Sequence, residues 1–245
     1  MKLIALGRGK LLRTVARRGV LGSLIHIATW PYRALQRRSP HLREGLAFAA
    51  NQSSQFDRDF GVDTHGHLGL ESLTVVGANR DHGEFYIGSD PTTFKKTLAA
   101  LPIAYEDFVF IDYGSGKGRA LLLASEFPFK FIVGVEFAVE LHRVCEANLK
   151  SFRSTSSRCL DIRPIHQDAA TFDPPPGPLV LYFCNPFDRI IFNAVLSRIG
   201  DSLRREPRPV WIVYGYAKYR DCLDDAPFLE RVTENAVYCI YRSVV

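Results

Sequence analysis

The alternation of apolar and polar positions in the second half of the chain predicts alternating strands and helices. Short continuous apolar runs, rich in Val, Ile, Leu and Phe, are typical of strands that are buried on both faces. They cover residues 108–112, 130–136, 160–165, 179–184 and 210–215. Between them, apolar residues at helical spacing predict helices at 120–126, 137–152 and 188–204. This alternation indicates an α/β domain with a mostly parallel sheet.

The end of the chain departs from this alternation. Residues 229–233 and 236–244 are two strand-like runs with Glu234 and Asn235 between them. So short a connection predicts an antiparallel pair that closes the sheet. In the third predicted strand, Pro164 cannot donate a ladder hydrogen bond, and this places that strand near an edge of the sheet.

A glycine-rich turn follows the first predicted strand. Asp112 ends the strand, and glycines occupy alternate positions in residues 114–118. Strand, glycine turn and helix together bring the polar end of a ligand against backbone N–H groups at a helix N-terminus. The dinucleotide-binding pattern needs a glycine where this chain has Arg119, and a phosphate-binding loop needs Ser or Thr where Gly118 follows Lys117. Both nucleotide motifs fit badly, and a glycine turn of some other α/β protein is the alternative.

This stretch closely resembles motif I of the class I S-adenosylmethionine (SAM) methyltransferases, in which a strand ends in an acid and is followed by Gly-x-Gly-x-Gly and a helix. The resemblance extends over residues 107–245, through the order of the predicted strands and helices. It implies a Rossmann-like α/β fold with a seven-stranded, mostly parallel sheet, an antiparallel last strand and helices on both faces. It also implies SAM as the cofactor and methyl transfer as the reaction.

The resemblance assigns contacts with the cofactor to residues at the ends of the predicted strands. Asp112 would orient the glycine loop and bind the amino group of SAM, and Glu136 would accept hydrogen bonds from the ribose hydroxyls. Asp168 would bind the adenine amino group, with an ordinary loop or turn acid as the alternative. The full set of implied cofactor contacts is Asp112, Gly114, Ser115, Gly116, Gly118, Glu136, Phe137, Asp168, Ala169 and Asn185.

The fourth predicted strand runs into Asn185, Pro186 and Phe187, which resemble motif IV of the amino-group methyltransferases. That resemblance implies a catalytic role, in which carbonyl groups accept hydrogen bonds from the acceptor nitrogen and an aromatic ring stacks beside it. This chain has one proline where the typical motif has two. Asn185 and Pro186 could also simply cap the following helix.

The acceptor that this resemblance favours is a nitrogen of a protein side chain or of a small molecule, followed by nucleic acid. A broad similarity to lysine methyltransferases is an analogy from fold and motif. Two rival functions remain: a non-catalytic module that keeps SAM or another nucleotide, and a protein that tethers a membrane or nucleic acid through its N-terminal arm.

Composition and cysteine usage agree with an intracellular enzyme. The chain has 245 residues, of which 47% are hydrophobic, so a single α/β domain with an N-terminal extension is expected. Its five cysteines include no Cys-x-x-Cys pair, which favours free thiols in a reducing compartment. No apolar run is long enough to span a membrane. We therefore expect a cytoplasmic protein.

Charge is concentrated at the N-terminus. Residues 1–43 contain ten Lys or Arg and no acid, whereas residues 44–245 carry 21 basic against 26 acidic side chains. A basic arm predicts an anionic partner, either a membrane surface, where the protein would then lie peripherally, or nucleic acid. A helix that covers the body, or a poorly ordered tail, is the alternative. The predicted organisation is a basic extension at 1–50, helical or partly disordered, a lid segment at 51–106 and the SAM-binding domain at 107–245.

The segment at 51–106 is the least transparent part of the sequence. In many class I methyltransferases the segment before motif I folds over the cofactor, and this analogy makes Asp63 and Tyr86 lid and substrate-pocket candidates, with ordinary packing as the alternative for Tyr86. A helix is predicted at 92–100, with Asp90 as its N-cap. His65-Gly66-His67 offers only two local metal ligands, and no metal site is predicted.

Overall fold

A computed structural model describes residues 54–66, 73–77, 79–84, 86, 88–235 and 237–244. The predicted basic extension at 1–50, with its anionic partner, lies outside these residues, and so does His67. Residues 50–245 form one compact unit, so the described part of segment 51–106 belongs to the same unit as the predicted SAM-binding domain. No helix in the described ranges is both long and apolar enough to cross a membrane.

The described part of the unit contains seven strands, five helices whose bounds are described in full, and a further helical stretch. The strands are β1 (Val109–Tyr113), β2 (Phe131–Glu136), β3 (Ile162–His166), β4 (Leu179–Phe183), β5 (Val210–Gly215), β6 (Leu229–Glu234) and β7 (Tyr238–Ser243). The helices are α1 (Pro91–Ala99), α2 (Arg119–Ala124), α3 (Val139–Ser151), α4 (Arg189–Arg205) and α5 (Arg220–Asp224). Residues 54–60 are helical as well.

The strands form one sheet in the order β3-β2-β1-β4-β5-β7-β6. Every neighbouring pair is parallel except those made by β7, which runs antiparallel to both β5 and β6. Asn235 shapes the connection into β7, because its side-chain oxygen accepts hydrogen bonds from the N–H groups of Val237 and Tyr238, both at 2.8 Å. The predicted Rossmann-like fold with an antiparallel last strand is confirmed.

Burial along the strands follows their position in the sheet. Strands β1, β4 and β5 are buried at every residue, and two apolar clusters cover the two faces of the sheet. Of the outermost strands, β6 is largely exposed and β3 is mostly half-buried. Pro164 lies in β3 opposite Gly134 of β2, so the expectation that proline marks an edge strand is confirmed.

Helix starts test two predictions about capping. Asp90 caps α1 as expected, with its carboxylate 2.8 Å from the Thr93 N–H. Helix α4 begins only at Arg189 and is capped by Asp188, whose carboxylate accepts from the first turn of the helix. The alternative in which Asn185 and Pro186 cap this helix is therefore wrong. Residues 54–60 and α5 were not predicted as helices, since both are short and carry many polar residues.

Candidate functional site

A cleft opens at the carboxyl ends of β1, β2 and β4, where the strand order reverses direction on either side of β1. This switch point is where ligands bind in open α/β sheets. The empty volume of the cleft is about 850 Å³, open solvent at its mouth included. The predicted site residues that line it are Tyr86, Asp112, Gly114, Ser115, Gly116, Glu136, Phe137, Asp168, Ala169, Asn185, Pro186 and Phe187.

Two predicted site residues do not line the cleft. Gly118 faces α3, where a Cβ would lie 2.6 Å from the sulfur of Cys145. Asp63 points outwards with a side chain that is 65% exposed, and its carboxylate pairs with the Lys117 ammonium at 2.7 Å. Gly118 is thus explained by packing within the protein, and Asp63 by an ion pair at the rim of the glycine loop.

The glycine loop, residues 114–118, is packed against protein as well as open to the cleft. Gly114 and Gly116 have φ values of +79° and +54°, which glycine adopts at little cost. A Cβ at Gly114 would lie 2.2 Å from Cβ of Pro186, and one at Gly116 would lie 2.3 Å from the ring of Tyr86. Both glycines are therefore required by backbone conformation and by neighbouring side chains.

Asp112 is a buried acid that accepts no hydrogen bond from the described residues. Its side chain closes β1 beside the glycine loop, lines the cleft and is only 4% exposed. Within the described residues no group donates a hydrogen bond to this carboxylate. Burial, and then the nearby carboxylate of Glu136, hold the pKa of Asp112 well above its usual range. Such a group is stabilised by a ligand that brings a positive charge or hydrogen-bond donors.

Glu136 ties the glycine loop to the end of β2. Its two carboxylate oxygens accept hydrogen bonds from the N–H groups of Gly116 and Ala138, each at 2.8 Å. Burial raises the pKa of Glu136 to about 7, although these backbone hydrogen bonds act in the opposite direction. Each oxygen keeps a lone pair that could accept from a ligand hydroxyl in the cleft.

Asp168 has a structural task as well as a place in the cleft. It caps the 3₁₀ turn Ala169–Thr171 by accepting from the Ala170 N–H at 2.9 Å. Its other oxygen accepts from the side-chain amide of Asn79 at 2.7 Å. The turn-acid alternative is therefore correct for this residue, and it does not conflict with a role towards a ligand, because Asp168 also faces the cleft.

Asn185 adopts a left-handed conformation, with φ of +47°, and its carboxamide is turned towards the end of β5. Its oxygen accepts from the Tyr214 hydroxyl at 2.7 Å and from the Lys218 N–H at 3.2 Å. Its nitrogen donates to the Tyr216 carbonyl at 2.6 Å. The carboxamide thus fixes the turn after β4, and both lone pairs of its oxygen are already used.

Pro186 and Phe187 follow in the same turn. Pro186 packs on Gly114, and its carbonyl accepts from the Glu84 N–H at 3.2 Å. Phe187 is 6% exposed, with its ring centroid 6.2 Å from that of Phe183 in the core. The structure thus brings these residues to the cleft, and their predicted contacts with an acceptor stay predictions.

Residues 82–84 run antiparallel to residues 186–188, and sequence reasoning missed this contact. The Asp188 N–H donates to the His82 carbonyl at 2.8 Å, and Gly83 forms a β-bridge with Phe187. The His82 ring nitrogen Nδ1 lies 2.7 Å from the Asp188 carboxylate. This hydrogen bond lowers the pKa of Asp188 even though burial by itself raises it. Segment 51–106 therefore supplies part of the cleft wall beside the predicted motif IV.

Tyr86 lies on the glycine loop, where segment 51–106 crosses it. Its hydroxyl donates to the Thr64 carbonyl at 2.5 Å, and its ring packs on Gly116. Burial raises the pKa of Tyr86 above its usual value. Tyr86 thus packs against the protein and also lines the cleft. Its movement as part of a lid stays a prediction.

Arg119, which the sequence analysis used only to reject a dinucleotide motif, is one of the most buried charges of the described chain, with 1% exposure. Its Nε donates to the Thr64 hydroxyl at 2.7 Å, and an Nη atom lies 3.2 Å from the Asp57 carboxylate. Arg119 also lines the cleft. The available signal was an arginine at the head of the apolar helix α2, because a charge on a buried helix needs a partner.

Within the described residues, the cysteines and the candidate metal ligands form no second site. The five cysteines are free thiols, and four of them are buried, as the sequence predicts. In the ranges that the structure describes, no group of three or more His, Cys, Asp or Glu side chains could hold a metal ion.

Comparisons with known proteins find only distant similarities of structure. The chain is 15% identical to the 23S rRNA methyltransferase ErmE, over 64% of this chain and 68% of that one, with a TM-score of 0.43. A predicted N6-adenine-specific DNA methylase from Listeria monocytogenes is 12% identical over 72% and 55%, with a TM-score of 0.47. An RNA methyltransferase from Salinibacter ruber, solved with S-adenosyl-L-homocysteine, is 18% identical over 64% and 92%, with a TM-score of 0.41.

No protein-family model matches the sequence, and no curated protein matches it. Similarities as distant as the three above carry no argument about activity, so the order and direction of the strands decide the fold. Seven strands in the order β3-β2-β1-β4-β5-β7-β6, with only β7 antiparallel and a glycine loop between β1 and α2, have the class I methyltransferase arrangement. The chain therefore has the Rossmann-like fold of the class I SAM-dependent methyltransferases.

Proposed function

We propose that this protein binds SAM in the cleft and transfers its methyl group to a nitrogen of a protein side chain or of a small molecule. The observation that carries the proposal is Asp112, a buried carboxylate beside the glycine loop that has no partner among the described residues. The amino group of SAM is a cation with three donors, which is what such a carboxylate requires.

The residues around Asp112 fit the rest of the cofactor. Glu136 keeps lone pairs for the ribose hydroxyls while it holds the N–H of Gly116. Asp168 and Phe137 line the cleft next to the end of β2 and would hold the adenine. Bound SAM would supply an electrophilic methyl group, which passes to the acceptor as the C–S bond breaks and S-adenosylhomocysteine leaves.

The part of the protein in this chemistry is positioning and electrostatics. Pro186 and Phe187 line the cleft and would face the acceptor, while Asn185 lines it from the same turn. Because the Asn185 carboxamide is held by the end of β5, it fixes the course of this turn. The acceptor nitrogen must present a lone pair, so a turn of fixed shape would orient a neutral amine towards the methyl group.

The experiment that tests the proposal follows the methyl group. The purified protein is incubated with SAM carrying a radiolabelled methyl group and with a cell extract that is then separated into proteins, small molecules and nucleic acids. We expect label in the protein or small-molecule fraction, and loss of it with Asp112→Asn. Label in nucleic acid would contradict the proposed acceptor, whereas SAM binding without any transfer would indicate a non-catalytic module.

A further inference from the structure

A short stretch before the glycine loop lies along the start of α3, and we call it the strap (described residues 73–77 and 79). The Val76 N–H donates to the Phe137 carbonyl at 2.9 Å, and Val75 forms a β-bridge with Ala138. The strap also has a small apolar core of its own, which it shares with the beginning of α3. The strap is thus fixed to the start of α3, and its last residue, Asn79, lines the cleft.

The strap brings Asn79 to Asp168. The side-chain nitrogen Nδ2 of Asn79 lies 2.7 Å from Oδ2 of Asp168, while the Ala170 N–H donates to Oδ1 at 2.9 Å. The strap backbone is equally close, since a Cβ at Gly77 would lie 2.8 Å from Oδ2 of Asp168. Asp168 therefore holds its carboxylate in one orientation with one hydrogen bond to each oxygen.

The orientation of the Asn79 amide follows from this contact. An ionised carboxylate can only accept hydrogen bonds, so the nitrogen of the amide faces Asp168 and the oxygen Oδ1 points away from it. No residue in the described part of the chain donates to Asn79 Oδ1. Asn79 and Asp168 both line the cleft, beside the apolar side chains of Phe137 and Leu141. Two oxygen acceptors thus lie next to an apolar wall that suits a flat ring.

We infer that Asn79 and Asp168 form a two-acceptor fork that recognises the exocyclic amino group of the adenine of SAM. This inference rests on the proposed function, because it assigns residues to the same cofactor. The amino group has two N–H donors, one for the remaining lone pair of Asp168 and one for Asn79 Oδ1. Asn79 lies outside the strands of the sheet and is a specificity residue that the strap supplies.

The fork makes a prediction about ligands as well as about variants. A base with a carbonyl oxygen in place of the amino group would place a hydrogen-bond acceptor against the oxygens of Asn79 and Asp168, which are acceptors themselves. Sites that are built to hydrogen-bond a donor reject analogues without it, because the buried polar groups of the site are then left without partners. The protein should therefore prefer adenine over hypoxanthine, and the preference should depend on Asn79.

The test is a calorimetric titration of the full chain with two probes, S-adenosylhomocysteine and S-inosylhomocysteine, which differ at this amino group. Wild type should bind the adenosyl compound at least about tenfold more tightly. Asn79→Ala should weaken binding of the adenosyl compound by roughly tenfold. The ratio of the affinities for the adenosyl and inosyl compounds should fall by a similar factor. Asn193→Ala, which removes an exposed carboxamide from α4, is the matched control and should leave both affinities unchanged.

The outcomes separate this inference from the proposed function. Equal affinity of the wild type for the two probes overturns the fork even if Asn79→Ala does not fold. The inference is also overturned if Asn79→Ala keeps the full wild-type ratio of affinities for the two probes, or if it lowers both affinities by the same factor. Either result would show that Asn79 only positions the strap. If a folded wild type binds neither SAM nor either probe, the proposed function itself fails.

Discussion

Two regions of this molecule are held together in different ways. Strands β1, β4 and β5 are buried at every residue between two apolar clusters, so the hydrophobic effect holds the sheet. Segment 51–106 also packs apolar side chains such as Phe94 and Leu98 onto the sheet. Around the cleft, however, its described residues make polar pairs, among them Asp57–Arg119, Asp63–Lys117, Asn79–Asp168 and His82–Asp188. The glycine loop lies between the two regions, and the cleft takes its walls from both.

The difference teaches where specificity resides in this chain. An apolar sheet tolerates exchanges of similar side chains, because its stability depends mainly on volume and burial. Removing one partner of a polar contact in segment 51–106 lowers stability, because the other partner is left buried without its hydrogen bond. Variants that break these polar contacts should therefore lower the free energy of unfolding, and the loss should be larger where the contact is more buried.

The largest effect is expected for Arg119→Met. This change preserves most of the side-chain volume but leaves Asp57, which is 11% exposed, without its buried cation. Loss of one partner of a buried ion pair costs about 3–5 kcal/mol, and urea unfolding should show a decrease of that order. Arg163→Met is the control: the Arg163–Asp161 pair is half exposed, and its loss together with the contact on the Phe131 ring should cost about 1–2 kcal/mol or less. Equal losses of unfolding free energy in the two variants would contradict a stabilising role of the buried Arg119–Asp57 pair.

The next effect concerns the loop between the two regions. Gly116→Ala and Gly177→Ala both place alanine at a positive φ, which costs roughly 1–2 kcal/mol. Only Gly116 has the ring of Tyr86 at 2.3 Å from its future Cβ, whereas the space at Gly177 is open. Overpacking should add about 1–3 kcal/mol to the loss of unfolding free energy in Gly116→Ala. Equal losses of unfolding free energy for Gly177→Ala and Gly116→Ala in parallel urea titrations would contradict a contribution from the Tyr86 ring.

The pH dependence of stability should report the buried acid of the cleft. The pKa of Glu136 is about 7 in the folded protein and about 4.5 when unfolded, so between these values the native state binds the extra proton. Stability without ligand should therefore fall as the pH rises from about 5 to about 7, by at most about 1.4 kcal/mol per pH unit from this group. Glu136→Gln should reduce that slope, measured by urea unfolding at several pH values. An unchanged slope would contradict burial of an ionisable Glu136.

The smallest effect is expected for Asp63→Ala. The Asp63 carboxylate is 65% exposed, and Lys117 retains a hydrogen bond to the His65 carbonyl when it is removed. Unfolding free energy should fall by about 1 kcal/mol or less. SAM affinity should not change, because Asp63 lies outside the cleft. A large loss of affinity in calorimetry would restore Asp63 as a pocket residue.

The sequence predicted the region that the hydrophobic effect holds. The apolar runs identified β1 to β5, and the short connection at Asn235 identified the antiparallel β6–β7 pair. The strands follow from local pattern, which a single sequence carries. Asp112, Glu136 and Asp168 were assigned by the resemblance to the class I methyltransferases, and the structure places all three in the cleft.

The region held by polar contacts could not be predicted in the same way. Asp57 and Arg119 are far apart in sequence, and no periodicity shows that they meet. The side chain of Asn185 was expected to face an acceptor, but its direction depends on Tyr214 and Tyr216, which come from β5 and the turn after it. Asn79 had no signal at all, because its role depends on how the strap runs along α3.

The measurement that tests the account most directly is a calorimetric titration of SAM into wild type, Asp112→Asn and the control Asp63→Asn. We predict saturable binding to wild type and to the control, and binding that is roughly ten- to hundredfold weaker in Asp112→Asn. Absence of SAM binding by a folded wild type, or equal affinity of all three proteins, would contradict the claim that the buried acid at the end of β1 holds the cofactor.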